Sequence, residues 1–456
     1  MKGWEEDMMK KIICMCLCGL TVAGIFLTGC AESGEAQSET PSMSSVYQNG
    51  KSIGDHLKYY IEAPVNNKEE LQLQAWINED WSCSYKKLFQ EYEKLHPNVQ
   101  IKVTQLPWNT YWKKLIIAMQ SGKGPDIFHM HNDYAKEMRP YLAQFPESQL
   151  PYSLIEQDFL QTESALYEGK LYYMNIGLST GGIFYNKKMW KDAGLTDKDI
   201  PETWDELRLI AKRLTKYDDN GNIVVDGFNC NENEEFLLMA MQLQCGIPIF
   251  TEDQKKSKFC NGSTIQNVTF LRNLYLADNV CRPNKGLNND MLGRGEAAMI
   301  YNWTWVASYL DQFYPEIEYG FFRPPVMDGE TEVYDRNNFE CTFGVNNASS
   351  EDKKLAAFDL MKFYLCSDEI LLTAAEQAKI VPNKHTLLQN SISEEDEIIY
   401  EQSQYIDKTV FVSLISNHVG NILRTQLGVN IMNENHTPID ILKTTDDEIE
   451  KALADK

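Results

Sequence analysis

The chain has 456 residues and a formal net charge of −23, with 43 basic side chains against 66 acidic ones. That balance excludes nucleic acid and anionic lipid surfaces as charge-matched partners, since both call for basic patches. The length exceeds what one hydrophobic core organises, so two lobes are expected.

Lys10 and Lys11 precede an apolar run from Ile12 to Leu27, and small residues follow up to Cys30. A positive start, a short apolar core and small residues before a cut predict a signal peptide over 1–29. The run is 16 residues long, short of the roughly 20 that a membrane-spanning helix requires. Leu27-Thr28-Gly29-Cys30 resembles the lipobox of bacterial lipoproteins. The resemblance implies lipidation of Cys30 and attachment to the extracytoplasmic face of the cell membrane, where two or more acyl chains hold a protein stably. Seven cysteines lie beyond Cys30. Their odd number and the absence of Cys-x-x-Cys spacing signal neither a disulfide framework nor a zinc site, so buried free thiols are expected.

Residues 30–69 are rich in Ser, Glu, Gln, Asn and Gly without a sustained period and predict a flexible tether. Leu71-Gln-Leu-Gln-Ala75 alternates as a half-buried strand. Tyr85, Leu88, Phe89, Tyr92 and Leu95 share one face of a helix, which His96-Pro97-Asn98 ends. Val99–Val103 alternates as a second strand, a helix spans Tyr111–Gln120, and Asp126-Ile127-Phe128 forms a third strand. Strands alternating with helices of this length predict βαβ units and an α/β fold. Farther on, Thr203-Trp-Asp-Glu206 fits a capping box that opens a helix lined by Trp204, Leu207, Ile210 and Leu214. Thr445-Asp-Asp-Glu448 reads in the same way.

Several segments together resemble the family 1 extracellular solute-binding proteins, which include the maltose-binding protein. Gly169-Lys170-Leu-Tyr-Tyr173 leads to Ile183-Phe-Tyr185-Asn186-Lys187-Lys188-Met-Trp190, Ala193-Gly194 and Pro201-Glu-Thr-Trp204. Gly295-Glu-Ala-Ala-Met299-Ile-Tyr-Asn302-Trp303-Thr-Trp305 follows, then Tyr319-Gly320, Pro324-Pro325 and Gly344-Val-Asn-Asn-Ala-Ser349. The resemblance covers roughly residues 70–455. It implies a two-lobed periplasmic-binding-protein-like fold with a ligand cleft between the lobes and about three chain crossings. These would fall near Gly177–Gly181, Phe321–Pro324 and Val381–Lys384. Lobe 1 would take 70–178 plus 323–381, and lobe 2 would take 179–322 plus 382–456.

The same resemblance places Asp80 and Trp81 in a first ligand loop, His131 and Asp133 in a second, and Ser179 in the first crossing. It makes Trp305 the aromatic platform of lobe 2, with Asn302 and Trp303 beside it. Trp303 stands where the family usually has glycine, and Ser179 where some relatives carry an acidic residue, so a maltose-like binding mode does not follow. Chemically the set suits a sugar. Aromatic rings offer flat apolar area to C–H faces, and carboxylates, amides and imidazoles fix hydroxyls. Of Trp303 and Trp305, spaced by two, one is expected to face the cleft and one to pack. Trp204, at a helix start, is expected in the core.

Two other patterns compete. His129-x-His131-x-Asp133 is similar to the run of metallo-hydrolases, because alternate strand residues point the same way and could share a metal. It ends in Tyr134 where a further histidine would stand, so a metal-dependent surface hydrolase is the alternative from another class. Asp218-Asp-Asn220-Gly221 echoes a calcium loop, but Lys216 and Gly227 occupy its first and closing positions, which leaves a turn. The expectation is a monomeric, lipid-anchored binding protein without cofactor, metal or catalysis, passing a carbohydrate to the permease subunits of an ABC importer. A glycerophosphodiester or a polyamine is the alternative solute.

Overall fold

The tether expected over 30–69 is corrected from residue 50 onward. The structure, a computed structural model, describes residues 50–454 except 79–81, 284–285, 328–330, 391, 393–395 and 413–416. β1 (Ser52–Ile53) pairs antiparallel with β2 (Tyr59–Tyr60), and Leu57, Tyr59 and Val65 join the first hydrophobic core. Polar composition conceals these few apolar anchors. The Tyr59 hydroxyl lies 2.5 Å from His96 Nε2 and donates to Asp359 at 3.0 Å, where Tyr92 donates at 2.9 Å. Burial is tolerable because each polar group has a partner. It holds the His96 imidazole down to about 4, hence neutral.

The expected βαβ units follow. Along β3 (Leu71–Asn78), Leu73, Ala75 and Ile77 are buried while Gln72 and Gln74 face solvent. Tyr85, Leu88, Phe89 and Tyr92 turn inward from α1 (Ser82–Leu95). β4 (Val99–Leu106) runs parallel to β3, with Leu71 opposite Val99 and Asn78 opposite Leu106. Pro107 stands before α2 (Trp108–Gln120), and the chain then enters β5 (Ile127–His131), parallel to β3 on its other side.

One long strand ties the molecule together. β6 (Asn175–Asn186) is buried along its whole length. Its first half pairs with β9 (Asp335–Val345) and β10 (Val381–Pro382). Its second half pairs with β7 (Met299–Trp303) and β8 (Tyr319–Phe322). With β11 (Thr409–Phe411) parallel to the start of β9, the sheet has nine strands among the described residues. Its order is β7-β6-β9-β5-β3-β4, with β8 and β10 on β6 and β11 on β9. The second passage of the chain lies in β9 rather than near Phe321–Pro324, because β8 still pairs with the second half of β6. Gly181 has to be bare: a Cβ there would collide with the Asp335 carboxylate and the Tyr301 hydroxyl.

Hydrophobic side chains collect on either side of this junction. The first core draws on residues 57–176 and 341–387. The second draws on 183–301, Phe322 and 419–452, and a smaller third on Phe184, 291–310, Phe321, Ile398 and Tyr405. Ile183 and Tyr185 face the second core and Phe184 the third, the alternation a strand imposes.

Local signals resolve unevenly. α3 (Trp204–Leu214) opens with the expected reciprocal cap: Glu206 N donates to Thr203 Oγ1 at 3.3 Å, and Thr203 N donates to Glu206 Oε2 at 3.1 Å. Trp204 is buried, donating Nε1 to Gln244 Oε1 at 3.0 Å. Asp218 accepts from the amides of Asn220 and Asn222, which makes the expected turn between two short antiparallel strands. The cap at Thr445 is a misreading. That residue is buried inside α8 (Pro438–Ala454) and donates its hydroxyl to Ile441 O at 2.8 Å. Thr437 and Asp440 cap this helix instead. Among the described residues six cysteines are free, and Cys245 and Cys260 are exposed rather than buried. Among the described residues no helix is long and apolar enough to cross a membrane.

Candidate functional site

The carboxyl end of β5 runs directly into the segment His131–Tyr134. Trp108 and Trp112, one helical turn apart on α2, wall it. Trp112 stacks on Tyr134 with ring centroids 3.9 Å apart, and Trp108 sets its edge against His131 at 5.1 Å. Hydrogen bonds close a loop here. Asp133 N donates to Asn132 Oδ1 at 3.1 Å, Asn132 Nδ2 to Asn338 Oδ1 at 2.7 Å, and Asn338 Nδ2 to His131 Nε2 at 3.0 Å. The His131 ring meets this loop at both nitrogens, with Nε2 facing Asn338 Nδ2 and Nδ1 lying 3.3 Å from the Asp133 amide and 3.6 Å from its carboxylate. Asp133 itself is exposed.

His129 belongs elsewhere. It is enclosed by Tyr85, Tyr111 and Trp112, with its Nδ1 3.1 Å from the Tyr85 hydroxyl. Burial, with His131 nearby, pushes it down to about 3. The two histidines share a strand face but differ in their described neighbours, His129 among Tyr85, Tyr111 and Trp112 and His131 against Trp108 and Asn338. Among the described residues no three His, Cys, Asp or Glu side chains gather as a metal-holding group.

β9 carries a polar row that sequence reading overlooked. Arg336, Asn338 and Glu340 alternate onto one face, with Ser179 opposite Asn338 and both His131 and Gly177 opposite Glu340. Ser179 is buried. Burial pushes the Glu340 carboxyl up, opposed by His131 and by the Ser179 hydroxyl, while Asp133 adds to the rise. The available signal was a strand polar on both faces, Asp335-Arg-Asn-Asn-Phe-Glu340, which open solvent-facing strands do not require and a lined cleft does.

The second lobe contributes aromatic rings and buried acids. The Arg336 guanidinium lies over Trp303 at 4.6 Å and over Phe236 at 4.3 Å. Phe236 comes from α4 (Glu234–Gln244), whose first two glutamates are buried. Burial pushes Glu234 up to about 8 and raises Glu235 as well. Asn302 is turned to structural use, donating Nδ2 to Asn288 Oδ1 at 2.7 Å and accepting from Trp303 N at 2.8 Å. Trp303 is packed, whereas Trp305, which caps α5 (Val306–Phe313), is 46% exposed. Near it the two lobes touch: Ser308 Oγ donates to Gln377 O at 2.5 Å, at the end of α7 (Asp368–Ala378).

His131, Asp133, Ser179 and Trp303 are thus joined through the β9 row, while Trp305 stands exposed, its ring centroid 6.5 Å from that of Tyr309 in an edge-on contact. Asp80, Trp81 and Cys30 lie outside the described residues. A cavity of about 530 Å³ lined by Tyr319, Lys379, Pro382 and Asp396 shares none of these groups. The converging strand ends, not that cavity, hold the cluster of rings and polar side chains that ligand sites of α/β sheets use.

The chain belongs to the bacterial extracellular solute-binding protein family, whose sequence model matches residues 79–367. The arabinooligosaccharide-binding protein of Bacillus subtilis is 23% identical over 252 residues, 51% of this chain and 55% of that protein. The multiple sugar-binding protein of Streptococcus mutans is 24% identical over 212 residues, 45% of this chain and 41% of that one. The chain therefore spans about half the length of the curated relatives it matches. Among solved structures, the maltodextrin-binding domain of Bdellovibrio bacteriovorus bound to maltotriose superposes with a TM-score of 0.69 at 18% identity. That match covers 84% of this chain and all of the other. A substrate-binding protein of Listeria monocytogenes in complex with cycloalternan gives 0.67 at 19%, covering 85% of this chain and all of that one. The likeness carries the two-lobed fold with its intervening cleft, and the family is extracytoplasmic.

Proposed function

We propose that this protein captures a carbohydrate, an oligosaccharide, in the cleft and hands it to the permease of an ABC importer without catalysing a reaction on it. The observation that carries the reading is the β9 row, which joins a hydrogen-bonded His131–Asp133 loop on one wall to aromatic side chains on the other. Sugars offer alternating apolar faces and hydroxyls, and such a mixture of rings, amides and carboxylates answers both. His131, Asp133 and Glu340 would orient hydroxyls, with Asp80, Trp81 and Ser179 as further ligand-binding residues. Trp305 would serve as the platform of the second lobe, with Trp303 packed behind it and Asn302 as a positioning residue. Closure would be a hinge motion about β6, β9 and β10. The lobes would be those built on the first core and on the other two, acting as a monomer. Cys30 would be the lipidated anchor on the outer face of the cell membrane.

A thermal-shift and calorimetric screen of the protein against mono- and oligosaccharides tests the reading. A ligand at 100 times its dissociation constant should stabilise by about 2.7 kcal/mol, a shift of several degrees. Stabilisation by glycerophosphodiesters or polyamines and by no saccharide would replace the sugar with one of those solutes.

A further inference from the structure

Arg336 is the most unusual charge in the molecule. Its side chain is only 7% exposed, and its guanidinium is layered against Phe236 at 4.3 Å and Trp303 at 4.6 Å. Among the described residues it forms no ion pair, and its Nε is sealed from solvent without a hydrogen-bond partner. A buried charge without a counterion is expensive, and folds rarely retain one unless something else completes it.

Candidate partners nearby are otherwise engaged. Asp335 accepts from Tyr301 at 3.0 Å and from the Arg336 amide at 2.7 Å. Glu235 turns its Oε1 toward Arg424, 3.6 Å from Nε, and its Oε2 is a second buried atom without a partner. Burial works against the Arg336 charge, while Tyr301, Asp133, Asp335 and Glu235 support it electrostatically without forming an ion pair among the described residues. Burial weakens the charge of these neighbours, pushing Asp335 up to about 7 and raising Glu235. The guanidinium is a planar fork that pairs with a carboxylate through two parallel hydrogen bonds.

We infer that the cleft selects an acidic oligosaccharide, one whose uronic-acid-type carboxylate pairs with the Arg336 guanidinium between Phe236 and Trp303. The inference rests on the carbohydrate reading above and narrows it. A phosphate ester fits less well, because its charge of about −1.5 to −2 would fall beside Asp133, Glu235 and Glu340. A sugar hydroxyl can meanwhile donate to the free oxygen of Glu235.

The test titrates the protein with short oligomers of galacturonate, glucuronate and mannuronate, each beside its carboxyl-reduced neutral counterpart, and with sugar phosphates. One acidic oligomer should bind, with its reduced counterpart about thirtyfold weaker or worse. Arg336→Gln and Arg336→Met should erase that difference while melting within a few degrees of the parent, because among the described residues the charge they remove has no ion-pair partner. Equal or tighter binding of the reduced sugars, or full acidic preference in folded Arg336→Gln, would overturn the inference and leave the carbohydrate reading standing. Preference for the sugar phosphates would overturn the carboxylate assignment. If no saccharide binds, acidic or neutral, the carbohydrate reading itself falls and takes the inference with it.

Discussion

Two tryptophans separate binding from folding. Trp305 is half exposed and touches little beyond the edge of Tyr309. Trp305→Ala should weaken saccharide binding by about 2 kcal/mol, roughly thirtyfold, and move the melting temperature by only a few degrees. Trp204 is buried among Phe228 and Phe270 and also loses its bond to Gln244 on truncation. Trp204→Ala should cost about 3–5 kcal/mol of stability in denaturant titrations while the surviving folded protein binds normally. Glu234 makes a pH prediction with a definite sign. Its folded value of about 8 lies above its ordinary 4.5, so the native state holds the proton longer than the unfolded chain does. Its contribution to stability is therefore greatest at low pH and declines between about pH 4.5 and 8. Glu234→Gln should flatten that decline and stabilise the protein at pH 8, which melting curves across the range will reveal. A variant that loses stability equally at every pH would contradict it.

Elements were legible where one local rule governs them. The period-two pattern of Leu71–Ala75 and the apolar stripe Tyr85–Leu95 became β3 and α1 because each buries a single face. The Thr203–Glu206 cap was legible because side chain and backbone answer each other over one turn. Thr445-Asp-Asp-Glu448 offers the same letters in a helix already under way, where the threonine hydroxyl bonds back to the preceding turn. The true start, Thr437-Pro-Ile-Asp440, is reciprocal in the same manner. Thr437→Ala should therefore cost about 1 kcal/mol in denaturant unfolding, whereas Thr445→Val, buried and apolar in shape, should cost less than Thr445→Asp. The polar row of β9 was hidden because its meaning depends on which strands flank it. Nothing local reveals that Arg336, Asn338 and Glu340 lie between two lobes, and the His129–His131 spacing is equally silent about what surrounds each ring. Strand geometry aligned the rings, but packing by Tyr85, Tyr111 and Trp112 sent them to different surroundings.

At the scale of the whole molecule, one sheet passes between separate cores, and under the proposed function its central strands would serve as the hinge. β6 and β9 each carry residues that serve both sides, and glycines at 177 and 181 let neighbouring groups approach where a side chain would collide. Under the proposed function, attachment through Cys30 would keep a hinged receptor beside an importer. Cys30→Ser should release the protein from membranes into the medium, as fractionation and immunoblotting would reveal, and unchanged membrane attachment would count against the lipobox. Everything proposed for the cleft depends on ligand capture between the lobes. Hydrogen–deuterium exchange with and without a saturating saccharide measures that in the intact protein. Protection should appear together in His131–Tyr134, in Asp335–Cys341 and around Trp303–Val306, with little change in the helices remote from the hinge. Protection confined to the cavity near Tyr319, Lys379 and Asp396, or to one lobe alone, would contradict binding in the cleft.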